Sequence, residues 1–175
     1  MNILRLGKVV VAAAGTPIQL GKTTLSGDIT AGATTLTVGF NNACPNGGLY
    51  RIDNEVVLAT ARGGTGNKDW TIRRAQNGTD AATHSNGAAI YSLLEFSALK
   101  AMVIAGLTGK CYLGGSGLDK STFDNVIHEF WPNASGGISD NIVLPAIKGG
   151  KYTLTDFWMD VAVNGEGLIT SLITE

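Results

Sequence analysis

Charge is the scarcest commodity in this 175-residue chain: Asp, Glu, Lys and Arg together make up 15% of it, against roughly 25% in an average globular domain. Helix-favouring Glu, Lys and Gln are correspondingly few, so long solvent-facing helices are not expected. Basic residues neither dominate nor cluster. The net charge is -1 and the densest basic stretch is Arg73-Arg74, which argues against a nucleic-acid partner, since phosphate binding needs grouped Lys and Arg. No uncharged apolar run reaches the ~18 residues of a membrane-spanning helix, so no membrane association is predicted. Residues 1–20 open with apolar residues, but Arg5 and Lys8 interrupt the run and Pro17-Ile-Gln-Leu20 is a poor cleavage site, so the stretch reads as mature sequence.

Cysteine and histidine are nearly absent, at two each. Cys44 and Cys111 lie far apart and read as buried free thiols of a protein made in a cytoplasm. Neither pairs with His84 or His128 at a spacing typical of metal ligands. No metal, cofactor or catalytic residue is therefore predicted, and the chain reads as non-enzymatic. Gly21-Lys22-Thr23-Thr24 resembles the end of a phosphate-binding loop, but Thr16 stands where that motif needs its first glycine. Asp156, Asp160 and Glu166 are the densest carboxylates, and Asp156 and Asp160 share the parity of one strand face. Charges on a sheet edge that discourage unwanted pairing explain them better than acid–base work.

What is abundant is glycine, at 24 residues, within a chain that is 44% hydrophobic. Short β-branched and apolar runs bounded by Gly, Asn, Asp and Pro predict a mainly β fold. Val9-Val-Val11, then Gly15-Thr-Pro17, then Ile18-Gln-Leu20 read as strand, turn and short strand. Ile29 to Val38 ends in alternation, with Leu36 and Val38 on one face. Leu49–Ile52 and Glu55–Thr60 flank Asp53-Asn54 as a hairpin. Trp70–Arg73 and Ala88–Tyr91 are further strands, and this spacing makes the stretch from Thr23 to Tyr91 a small barrel or sandwich. Leu93, Leu94, Phe96, Leu99, Met102 and Val103 approximate one helical face, although the same residues can feed a strand ending at Val103-Ile104. Lys110–Leu113 reads as a strand stopped by Gly114-Gly115. Asp156–Val163 and Gly167–Ile173 read as a hairpin around Asn164-Gly165.

Two sets of motifs carry a resemblance. Ala33–Val38, Tyr50–Leu58 and Trp70–Thr79, with His84 and Gly87-Ala88, resemble a small β module of tailed-phage structural proteins. That module's xRGxxGTxxxxHxxG stretch is matched by Arg74, Gln76-Asn-Gly-Thr79, His84 and Gly87; Ala75 stands where the module has Gly after the Arg. Leu6–Val11 with Ala14–Ile18, Thr108–Gly117, Asp156–Asp160 and Gly165–Leu168 are similar to a second type of phage particle protein, whose pieces form one β-sandwich-like domain. The resemblance implies a discontinuous β-sandwich domain of residues 1–22 plus 93–175, with 23–92 inserted as a small β-barrel or sandwich module. It also favours strand over helix for Ala98–Ile104.

In function, the resemblance implies a capsid decoration (cement) protein on the virion surface, binding the major capsid protein and forming a homo-oligomer, dimer or trimer. A neck, head–tail connector or tail-fibre attachment protein is the structural alternative. A carbohydrate-binding β module is another, since exposed Trp on a small sandwich stacks on sugars. For the partner-binding residues, Ile3 and Leu4 of the N-terminal arm are expected to add a strand to a neighbour's sheet, as is the arm from Thr170 to Glu175. Phe130 and Trp131 are expected to supply an aromatic anchor.

Overall fold

In the computed structural model, residues 2–10, 13–40, 44–96, 98–103, 109–131, 141–144, 151–163 and 167–174 are described. The regular elements are strands and short 3-10 turns. In chain order the strands are β1 (Asn2–Val10), β2 (Ile18–Gln19), β3 (Lys22–Thr24), β4 (Thr35–Thr37), β5 (Gly48–Ile52), β6 (Glu55–Gly63), β7 (Asp69–Arg73) and β8 (Ala89–Ser92). They continue as β9 (Glu95–Phe96), β10 (Ala98–Val103), β11 (Cys111–Asp119), β12 (Asp124–Phe130), β13 (Asn141–Leu144), β14 (Tyr152–Thr153), β15 (Trp158–Val161) and β16 (Gly167–Thr174). No helix among the described residues is long and apolar enough to cross a membrane. The protein is mainly β, and the chain divides into two compact units: Met1–Leu20 with Glu95–Glu175, and Gly21–Leu94.

The first unit is β-sandwich-like, built on two four-stranded antiparallel sheets of order β1-β16-β10-β13 and β12-β11-β15-β2, with the small pair β14-β9. Its core includes Val9, Leu20, Leu113, Phe130, Leu154, Met159 and Val161, all fully buried. The stretch 98–103 is a strand, with Leu99 opposite Leu172 on one side and Leu144 on the other. The helical count there fails because a short apolar run fits both periods until its partners are known.

Asn164-Gly165 lies outside the described residues, but the strands expected to pair around it as a hairpin do not pair with each other. β15 pairs with β11 and β2, whereas β16 pairs with β1 and β10. A turn signal reverses the chain locally, but the pairing of the flanking strands is set by where their apolar faces find cover. Nor do Gly114 and Gly115 end a strand, since β11 continues to Asp119. A Cβ on Gly114 would sit 2.2 Å from the Asn125 carbonyl oxygen, where the pairing of β11 with β12 shifts register. Glycine there permits close backbone approach at an irregularity.

The second unit is one six-stranded antiparallel sheet, order β3-β8-β5-β6-β7-β4. Alternation sorts most of its residues, although Val56, at outward parity, is also buried. Tyr50, Ile52, Val57, Ala59, Trp70, Ile72, Ile90, Leu36 and Val38 point into one buried cluster, where the Tyr50 and Trp70 ring centroids are 4.7 Å apart. Burying each Val, Leu or Ile of this cluster contributes roughly 1.5–3 kcal/mol. The two-residue turn Asp53-Asn54 forms as its chemistry predicts: Ile52 faces Glu55 across it, with Asp53 at φ +51. The unit closes on itself, because Lys22–Thr24 pairs with Ala89–Tyr91 and the Ser92 N–H donates to the Gly21 carbonyl at 2.7 Å.

Candidate functional site: a buried charge cluster

Glu55 opens β6 at the same inward parity as Val57 and Ala59, and is 1% exposed. A carboxylate in that position costs several kcal/mol unless it is paired and hydrogen-bonded. It is both. Oε1 accepts from Arg74 Nε at 2.7 Å and from the Ala75 N–H at 3.1 Å. Oε2 accepts from Arg74 Nη2 at 2.6 Å and the Ala82 N–H at 3.1 Å, and lies 2.8 Å from His84 Nε2. Burial alone would push this carboxyl up; the bonds from Arg74, His84, Ala82 and Ala75 overcome it and hold the group at about 2.

The motif residues surround this carboxylate. Arg74 Nη1 also donates to the Thr30 carbonyl at 2.7 Å. His84 is 2% exposed; its Nδ1 lies 2.7 Å from Asp53 Oδ2, and its backbone exchanges two hydrogen bonds with Ile29. Thr79 Oγ1 accepts from the Val56 N–H at 3.0 Å and donates to the Gln76 carbonyl at 2.8 Å. Ala75 takes the left-handed conformation at φ +54, so the backbone geometry that favours Gly is met here by a residue with a Cβ. Glu55 therefore ties together the segments around Thr30, Arg74, Ala82 and His84. An ionised carboxylate offers about four lone-pair directions, and five close donor atoms use them up. The cluster is built to hold loops, with no lone pair of Glu55 left for a substrate.

The sequence motif singles out His84 but not Glu55. The available signal was parity: Glu55 shares the spacing of Val57 and Ala59, and a carboxylate on an apolar face demands an Arg.

The other sequence candidates are dispersed. Asp160 is 2% exposed, accepts the Gly15 N–H at 2.9 Å and lies 3.3 Å from Lys120 Nζ. Asp156 lies in a 3-10 turn, accepting the Thr153 N–H at 3.0 Å. The two do not share one strand face as expected, and Glu166 lies outside the described residues. Lys22-Thr23-Thr24 is strand β3. Cys44 and Cys111 are buried and not disulfide-bonded, one in each unit, and burial, opposed by the charge of Arg62, pushes the Cys44 thiol up to about 12. No group of three or more His, Cys, Asp or Glu among the described residues is placed to hold a metal ion.

Of the residues expected to meet a partner, Ile3 and Leu4 lie in β1, opposite Ile173 and Leu172 of the same chain's β16. The arm from Thr170 is this same β16, so both arms pair with each other; Glu175 lies outside the described residues. Phe130 is fully buried, and its ring is edge-on to His128 at 4.5 Å. That corrects the reading of Phe130 as a surface anchor: it ends β12 with its side chain inward. Trp131 is 56% exposed, with Lys110 Nζ 3.7 Å from its ring centroid and Lys110 paired with Glu129 at 2.7 Å. No protein-family model matches the chain, and no curated protein matches its sequence.

Proposed function

We propose that this chain is a structural, non-enzymatic protein of a tailed-phage particle, a capsid decoration protein that binds the major capsid protein and stabilises the head. The observation that carries the reading is the use made of the motif residues. Arg74, Thr79 and His84, on which the resemblance to the phage module rests, are all spent on fixing loops through Glu55 and Val56. Asp160 and Lys120 are likewise engaged with the chain's own backbone. Such chemistry fits a rigid building block presented to a repeated lattice, where modest interfaces add up by multivalency. β1, an edge strand among the described residues, offers a backbone edge to a neighbouring subunit.

The test adds purified protein to phage heads that lack it. Binding over the whole shell, with raised resistance to heat or chelator, is the expected result. Binding at a single vertex would instead make the chain a neck or connector protein and remove the cement reading.

A further inference from the structure

The six-stranded sheet has a second face, opposite the buried cluster, and its residues form two cross-strand rows. In one row Lys22, Tyr91, Arg51 and Val56 stand side by side on β3, β8, β5 and β6. Lys22 Nζ lies 5.4 Å and Arg51 Cζ 5.5 Å from the centroid of the Tyr91 ring between them. In the next row Leu49, Leu58 and Arg73 follow one another across β5, β6 and β7. Leu93, 37% exposed, extends that row through its backbone bond to Leu49. Arg51 and Arg73 are exposed, and Lys22, Tyr91, Leu49 and Leu58 are half-buried.

The charge along these two rows is positive. None of Lys22, Arg51 and Arg73 has an ion-pair partner among the described residues, whose ion pairs lie elsewhere. The sole carboxylate at outward parity in these strands is Asp69, at the far end of β7 from Arg73, where it accepts from Thr37 Oγ1 at 2.8 Å. Arg and Tyr around an apolar centre are the residues that concentrate binding energy in protein interfaces. Unpaired cations on such a surface select a partner of opposite charge.

We infer that this outer face of residues 21–94 is a docking surface for an acidic protein surface, one that sets carboxylates against Arg51, Arg73 and Lys22 around an apolar centre. Single-stranded nucleic acid fits less well. Its binders offer a series of free aromatic faces for successive bases, whereas the sole ring of these two rows, Tyr91, is already engaged by two cations of its own chain. The inference deepens the decoration-protein reading, on which it rests only for the partner's identity; the chemistry of the surface is tested independently of it.

The experiment uses the full chain in two arms. The first measures retention on an immobilised Glu–Tyr copolymer, with oligo(dT) as the competing probe, for the wild type, Arg51→Glu/Arg73→Glu and Tyr91→Ala. The wild type is expected to bind the copolymer, to lose affinity between 0.05 and 0.5 M salt, and to prefer it to oligo(dT). The double reversal is expected to weaken binding on the order of 100-fold and Tyr91→Ala about 10-fold. Both arginines are exposed, so the urea midpoint should hold; Arg51→Gln/Arg73→Gln, which removes charge without reversing it, should lie between the two. Equal retention of wild type and double reversal, no retention of the wild type, or tighter binding to oligo(dT) overturns the inference. The second arm repeats the comparison on phage heads lacking the protein, where the double reversal should again lose binding. Wild type that binds the copolymer as described but no head removes the decoration reading and leaves the docking surface standing. A double reversal that binds heads as well as the wild type does the opposite.

Discussion

Replacing Arg74 by Met isolates what the buried cluster contributes. Met keeps the unbranched apolar stem and removes the guanidinium, so Glu55 keeps its bonds from Ala75, Ala82 and His84 but loses its bidentate cation. Breaking a buried pair on one side leaves a charge without its partner and costs about 3–5 kcal/mol. Whole domains are stable by about 5–15 kcal/mol, so the Gly21–Leu94 unit should become marginal. Glu55→Gln should cost a similar amount, because it leaves the Arg74 side chain, 9% exposed, facing an amide. The double variant should lose less than the sum of the two, since each change removes the other's orphan. Arg74→Lys keeps the charge but not the fork and should fall in between. Trp70 is fully buried and is the unit's single tryptophan. Urea unfolding in a Trp131→Phe/Trp158→Phe background therefore reports this unit by fluorescence. A cost for Arg74→Met below about 1 kcal/mol, the range of an exposed ion pair, would refute the argument that Glu55 is a buried hub.

The same carboxylate sets an acid limit. Its folded value of about 2 lies below the ordinary 4.5, so its stabilisation is complete above about 4.5 and is lost as pH falls towards 2. Urea midpoints of the Gly21–Leu94 unit should fall over that window, and by less in Glu55→Gln. Ala75→Gly should raise stability by about 1 kcal/mol, because it removes the steric cost of the left-handed conformation at φ +54; thermal melts read it directly. Gly114→Ala should destabilise the other unit by about 1–3 kcal/mol, since the new Cβ meets the Asn125 carbonyl oxygen at 2.2 Å and Leu118 Cδ1 at 2.7 Å. Hydrogen exchange along β11 and β12 would show it as faster amide exchange.

Strand existence was legible wherever burial alternated within a few residues. Leu36 with Val38, and Tyr50 with Ile52, announce their faces locally, and Asp53-Asn54 announces the turn that makes Glu55 face Ile52. Beyond that hairpin, strand partnership was not legible, for the same reason that Asn164-Gly165 misled: a turn signal is local, and β15 and β16 find their partners in different sheets. The buried cluster was half legible. The spacing of Arg74, Thr79 and His84 could be matched, but the acceptor that makes it a cluster lies upstream at Glu55, and only pairing of β6 with β7 brings them together. Phe130 and Trp131 are adjacent, and composition treats them alike. Strand parity does not: Phe130 is fully buried and Trp131 is 56% exposed.

Parity also separates the two tasks assigned to the Gly21–Leu94 unit. Arg73 and Arg74 form the densest basic stretch of the sequence, yet the two residues serve opposite faces of the six-stranded sheet. Arg73 ends β7 at outward parity beside Leu58, without an ion-pair partner among the described residues. Arg74, one residue on, turns inward and is saturated by Glu55 and the Thr30 carbonyl. The inner charge is matched and is spent on stability. The outer charge is unmatched and is available for recognition. Substitutions at Arg73 should therefore change binding while leaving the urea midpoint in place, and substitutions at Arg74 should move the midpoint first. A loss of binding at Arg74 would follow from unfolding, and refolding conditions that restore the midpoint should restore the binding with it.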